Sequence, residues 1–330
     1  MTNIDSTDIS PTDTLLPVVT SAATPPTSGG SKESLRKRLH IPKPSVIFAT
    51  VWLLALTILT FLATLAPSVV PFIRDYDAKV KVNGHAKAYG FGPGWNAWFG
   101  TGKSSEDIFA RCIYGAKMTL LIGIGATIFG LVVGSIIGVV SGYFRGWTDR
   151  IGSIITDCLL SIPPLLLALI LILRLDDLKS VYTWMGWITR PWQITFTLGL
   201  VAVAPFSRIV RAQTLTLRER EFVTAARSLG ASRSRIIFRE LLPNLVPAMV
   251  TVAFTGLGIL IAAEAGLAFL GLGVDRPATW GKMIDIARDD IEHAWWATSF
   301  PCIMLFLTVL SFNLLGDELA RRFDIREAAV

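Results

Sequence analysis

The side chains that most often bind metals or act as nucleophiles are few and scattered. Cys112, Cys158, Cys302, His40, His85 and His293 stand far apart in the 330 residues. No pair has a metal-ligand spacing, and three cysteines make no disulfide framework. ATP hydrolysis of the P-loop kind would need a loop of the form Gly-x-x-x-x-Gly-Lys-Ser/Thr. The Gly-Lys pairs at 102–103 and 281–282 have Ala97 and Arg276 where the first glycine belongs. No nucleophile–base pairing appears, so no catalytic residue, metal or cofactor is expected in this chain. Two features remain. Three acids, Asp157, Glu264 and Asp317, stand beside long apolar runs. One stretch, Arg208 to Arg239, holds eight arginines.

The elements around these residues are apolar. The chain is 52% hydrophobic and 17% charged, against about 25% charged in soluble domains, and its mean hydropathy is +0.54. A spanning helix needs about 20 apolar residues. Charge-free runs cover Ser45–Ile73, Met118–Phe144, Leu241–Ala263 and Ala294–Gly316, with shorter ones at Cys158–Leu173 and Pro191–Ser207. These predict six transmembrane helices and an all-α integral membrane fold. Buried helices of a large soluble protein fit poorly, because four runs are twice the usual helix length of about 11–12 residues, or longer.

Residues 1–44 are read as a disordered tail that ends in the basic segment SKESLRKRLHIPK. They lack the apolar core of a signal peptide. Residues 45–330 form the membrane domain, with an outer loop at about 74–117 and a second polar loop at about 208–244. Basic residues in short loops favour the cytoplasm. Arg145 and Arg150, the arginines of 208–239, and Arg321, Arg322 and Arg326 then all lie inside. This predicts that both termini are cytoplasmic and that the 208–244 loop joins spans four and five on that side.

Within this loop, Thr216 and Glu219 fit a capping box. Phe222, Ala225, Ala226 and Leu229 recur at helical spacing and give one apolar face. Gly230 suits the left-handed position that stops a helix. Ser232 can cap a second helix, and Pro243 ends it. A basic hairpin of this kind either lies on anionic lipid or protrudes to dock into a partner, and the residues alone leave both open.

Inside the membrane, Gly130, Gly134, Gly138 and Gly142 recur four apart in span two. Such a stripe lets helices approach closely, whether to pack within the chain or to move against a partner. Ser161-Ile162-Pro163-Pro164 predicts a kink in span three. Ionisable groups in membrane segments are expensive, so Glu264 and Asp157, with Pro163 at the kink, are candidate pathway or gate residues. A structural role for Glu264 is the alternative. The run Ala265–Gly273 is read as a re-entrant or outer-gate segment.

At residues 221–244 the pattern becomes recognisable. Glu221-Phe-Val-Thr-Ala-Ala-Arg-Ser-Leu-Gly230 resembles the EAA loop of binding-protein-dependent ABC-transporter permeases. GASRSRIIFRELLPN at 230–244 is similar to the dipeptide, oligopeptide and nickel branch of that family, as are SGYFRGWTDRIGSIITDCLLSIP at 141–163 and AEAGLAFLGLGVDRPATWGKM at 263–283. The C-terminal motif resembles the C-type subunit of the permease pair. Glu240 stands where the family usually has histidine.

The resemblance implies the type I ABC importer permease fold in a bacterial inner membrane. It implies a second homologous permease, two ATPases that bind ATP and magnesium, and an extracytoplasmic substrate-binding protein as partners, besides membrane lipid and no nucleic acid. It also implies that Glu221, Phe222, Ala225, Ala226, Leu229, Gly230 and Ser232 form a coupling helix seated on an ATPase. Uptake of di- or oligopeptides follows from the branch. An ion-driven secondary transporter is the alternative, but no inverted repeat of the kind such folds carry is found. A membrane scaffold without transport is a third.

Overall fold

The structure is a computed structural model that describes residues 43–65, 70, 72–81 and 91–327, with 324–327 described by backbone alone. The expected tail therefore lies, but for its last two residues, outside the described part. The regular elements are helices, and among the described residues there is no strand beyond isolated bridges. In chain order they are α1 (Pro44–Leu65), α2 (Ile108–Phe144), α3 (Trp147–Ser161), α4 (Pro164–Val181), α5 (Arg190–Arg218) and α6 (Glu221–Ser228). Then come α7 (Arg233–Leu272), helical with two π-helical stretches and broken at Gly271, α8 (Trp280–Ala287) and α9 (Trp295–Glu327). Five helices are long and apolar enough to cross a bilayer, and the α3–α4 pair makes a sixth span if its 92° bend is counted within one.

The centre of the bundle is the seam between α2 and α5, and the glycine stripe makes it. A Cβ on Gly134 would stand 2.7 Å from the Val203 carbonyl oxygen, and one on Gly138 2.7 Å from that of Ser207. On Gly130 it would meet Ala202 Cβ at 2.7 Å, and on Gly142 Thr214 Cβ at 2.9 Å. Hydrogen in place of a side chain lets the backbones touch, which replaces hydrophobic association as the source of cohesion between helices in lipid. The stripe thus faces a helix of the same chain.

The 37 residues of α2 make a rod of about 55 Å, longer than the ~30 Å hydrocarbon core of a bilayer. The helix begins at Ile108, so the end of the expected 74–117 loop is helical. The carboxylate of Asp107 caps it, accepting from the N–H groups of Phe109 and Ala110. Lys117, whose charge had ended the apolar run, lies within the helix, and Arg111 in the first turns pairs with Glu106 at 2.8 Å.

Outside this seam, α1 lies on α2 and α9. The indole N–H of Trp52 donates to the Thr308 hydroxyl at 3.1 Å, and the Thr60 hydroxyl donates to the Ile113 carbonyl at 3.3 Å. α7 packs against α9 where Gly258 meets Val309 and Asn313 and Gly316 meets Thr255. At one end of the bundle stands α6. At the other, α8 is pinned by Trp280, which is fully buried and donates from its indole N–H to the Cys112 carbonyl at 2.8 Å.

Candidate functional site

The α6 hairpin is built as a short helix, a glycine bend and a second helix. Glu221 opens α6, with its acidic side chain in the first turn, where the exposed backbone N–H groups favour negative charge. Val223 is fully buried and Ala226 half-buried, and both pack with Val139, Tyr143, Val210, Ile236, Leu241 and Leu245. Beside them, Phe222, Ala225 and Leu229 are exposed, with Leu229 at 88%. Of the four apolar residues expected on one face, these three are exposed and Ala226, at the edge of that face, is half-buried. Val223, which spacing with Ala226 would have indicated, anchors the helix, while Phe222, Ala225 and Leu229 point away.

Gly230 closes α6 at φ +78°, a conformation that costs a residue with a Cβ. Its N–H bonds to the Arg227 carbonyl, and the next N–H, of Ala231, reaches back to that of Ala226, each at 3.0 Å. The Ser232 hydroxyl then accepts from the Arg235 N–H at 3.4 Å and caps the following turn. Two expectations do not hold. Thr216 does not cap α6, because α5 remains helical to Arg218 and the Thr216 hydroxyl donates within it to Ala212. Pro243 does not end the second helix. The chain widens into a π-helical stretch over Ile236–Leu241, and the Leu242 N–H bonds five residues back to Ile237. Proline near the start of the next helical segment lacks only an N–H that this geometry does not need.

The three pathway candidates are placed apart. Asp157, on α3, is more than half exposed and pairs with Arg208 of α5 at 2.7 Å, so its charge is balanced by a neighbour rather than held in an apolar interior. Pro163 lies in the break between α3 and α4, where Ile162 and Pro163 are extended. Glu264, on α7, is fully buried, and neither carboxyl oxygen has a hydrogen-bond partner. The buried hydroxyl of Thr279 neighbours it outside hydrogen-bonding geometry. Thr279 itself caps α8, accepting from the Lys282 N–H, so Glu264 lies where the end of α7 meets the start of α8. Beyond it, α7 loosens into a second π-helical stretch, Ala268–Leu272, broken at Gly271 with φ +84°.

None of these three lines the main cavity. That cavity, about 490 Å³, is apolar and lies between α4, α5 and α7, with Pro164, Leu165, Val201, Pro205, Phe206 and Ile259 among its walls. Among the described residues no group of three His, Cys, Asp or Glu side chains gathers closely enough to hold a metal ion.

Residues 109–327 match the family of binding-protein-dependent transport system inner membrane components. The dipeptide transport system permease protein DppC of Alkalihalophilus pseudofirmus is 36% identical over 234 residues, covering 71% of this chain and 73% of that protein. The glutathione transport system permease protein GsiD of Escherichia coli O1:K1 is 32% identical over 289 residues, or 87% of each chain. Among solved structures, a chain of the MetNI methionine ABC transporter, in an inward-facing conformation, aligns with a TM-score of 0.53 at 22% identity. That alignment covers 66% of this chain and 99% of the other, and it shows the fold. The helical architecture, the length of the match and these relatives together place the chain in the family of inner-membrane components of binding-protein-dependent transport systems, the permease subunits of ABC importers.

Proposed function

We propose that this chain imports peptides as one of two homologous permeases in a bacterial cytoplasmic membrane. Two ATP-binding subunits, which hold the ATP and magnesium, drive it, and an extracytoplasmic substrate-binding protein delivers the cargo. The chain itself catalyses no reaction. Residues 1–44 are a cytoplasmic tail, both termini are inside, and α6 with the surrounding 208–244 segment is the coupling element. The dipeptide and glutathione cargo in the relatives' names supports a peptide-class substrate.

One observation carries the reading. α6 is anchored by Val223 and Ala226 yet turns Phe222, Ala225 and Leu229 outward at the end of the bundle. An apolar face held out by a rigid bend marks a protein-binding site, and here the bend is fixed by Gly230 and Ser232. Glu221 completes the helix's first turn. The apolar cavity beside α4, α5 and α7 supports a translocation pathway on that side of the chain, shared with the second permease. Glu264 fits a structural or gating role at the opposite end.

Purification of the tagged chain from native membranes in mild detergent, followed by mass spectrometry, tests this. A second permease and one or two ATP-binding subunits are expected to co-purify, and the ATP-binding subunits are expected to be lost when Ala225 and Gly230 are made bulky. Recovery of the chain alone, with uptake driven by an ion gradient, would overturn it.

A further inference from the structure

Beside the docking face, the structure has a second set of contacts that the docking itself does not use. They join α3 to α5. Arg211 grips Asp149 through both Nε and Nη2, the latter at 2.9 Å from Oδ2. One turn earlier on α5, Arg208 meets Asp157 at 2.7 Å. Asp149 lies in the first turn of α3 and Asp157 about one turn before its end. A third pair ties in the turn before α3. There Arg145 (φ 54°) and Gly146 (φ 63°) both take left-handed φ values, and Arg145 meets Glu219, the residue that follows α5, at 2.8 Å. Arg218 adds a bond to the Tyr143 carbonyl. Charge therefore fastens α3, near its start and about one turn before its end, to the C-terminal third of α5, the helix that leads into α6.

The rest of α3 is loosely held. Its inner face is small: Gly152 lies against Ser141 of α2, and Thr156 is buried. Its other face, with Trp147, Ile151, Ile154 and Ile155, is exposed. At its far end come the extended Ile162–Pro163 break and the 92° turn into α4. The residues flanking that break, Leu160, Pro164 and Leu165, form one wall of the apolar cavity, and Pro205, one turn before Arg208, belongs to another. The cavity leaves α4 room to move.

We propose that α3 is a second transmission arm. When the ATP-binding subunits displace α6, the α5 arginines drag α3 through Asp149 and Asp157, and the Ile162–Pro163 break turns that displacement into movement of the α4 wall of the cavity. Coupling needs a physically connected element with two arrangements, and an arm gripped by charge at two points, with a flat seam along its side, provides one. This inference rests on the reading of α6 as the docking helix. The Arg208–Asp157 pair joins exposed side chains and contributes little to stability, so it can be cut without unfolding the chain, whereas the Arg211–Asp149 pair is half-buried.

The test uses the assembled transporter with Cys158→Ser and Cys302→Ser, spin-labelled at Leu166→Cys on α4 and Val51→Cys on α1. The distance between the labels is measured without nucleotide and with a non-hydrolysable ATP analogue. In the otherwise unaltered complex the distance is expected to shift with nucleotide. In Asp149→Asn, Asp157→Asn the shift is expected to be lost, while the subunits stay together and ATP hydrolysis persists. The exchange Asp149→Arg with Arg211→Asp is expected to restore it when Asp157 is intact. A shift that survives in the double variant would overturn the arm and leave the docking reading standing. No shift in the unaltered complex would overturn the arm, whereas failure of the ATP-binding subunits to join the complex would overturn the docking reading. If the double variant fails to assemble, the exposed pair alone, cut by Asp157→Asn, gives the same reading: a reduced shift supports the arm and an unchanged one overturns it.

Discussion

The two ends of the bundle solve opposite problems. At the α8 end, a set of aromatic side chains turns inward, although Trp95, Trp98 and Trp295 stay exposed. Trp280 is fully buried with its indole N–H satisfied, Trp296 donates to the Thr101 carbonyl at 3.0 Å, and Phe99 stacks on Phe300 with 4.0 Å between ring centroids. At the α6 end, large side chains turn outward, with Leu229 at 88% and Phe238 at 68% exposed. One end is built on a buried aromatic core, and the other holds its helix by Val223 and Ala226. An end that closes on itself acts as a frame. An end that keeps a folded helix in place by Val223 and Ala226 while leaving an apolar face uncovered is shaped for another protein.

The contrast can be broken by substitution, and the frame gives the largest effects. Gly134→Leu would drive a side chain into the Val203 carbonyl. Overpacking of this kind costs about 1–3 kcal/mol or more, and the backbone contact leaves no room to relax, so loss of the monodisperse species in fluorescence-detected size-exclusion chromatography is expected. Trp280→Ala should lower stability by about 3–5 kcal/mol, read as a fall in the detergent-solubilised melting temperature. Gly230→Val, at a positive φ with open space around the Cβ, should cost about 1–2 kcal/mol through backbone strain alone. Ser232→Ala removes a cap and should cost about 1 kcal/mol. Leu229→Asp should change stability by no more than about 0.5 kcal/mol and yet reduce recovery of the ATP-binding subunits. A large stability loss from Leu229→Asp would mean that the α6 end is packed after all, and the contrast would fail.

Much of the frame was legible in the sequence, because charge-free runs report the solvent directly. The beginning of α2 was not. Arg111 and Lys117 interrupt the run, yet both lie within the helix, with Arg111 matched to Glu106. The glycine stripe was legible as a close-packing face, but its partner, α5, was not, since nothing in a four-residue spacing names the opposing helix. In the hairpin, Gly230 and Ser232 were readable because each does its work locally. Thr216 and Pro243 misled because helix ends depend on what the neighbouring turns do: α5 continues through Thr216, and a π-helical stretch absorbs Pro243. The division of α6 into an anchored and an outward face turns on Val223, whose burial is set by α2, α5 and α7 together. The Asp149–Arg211 and Asp157–Arg208 pairs join residues 62 and 51 positions apart, and sequence periodicity carries no trace of them.

The central claim is that the outward face of α6 is covered by an ATP-binding subunit. Site-specific photo-crosslinking from position 229, with a photoreactive amino acid in place of Leu229 in native membranes, tests it most directly. The account predicts a crosslinked product that contains an ATP-binding subunit and that is lost in Gly230→Val. A product with phospholipid alone would contradict it and would make α6 a helix lying on the membrane surface.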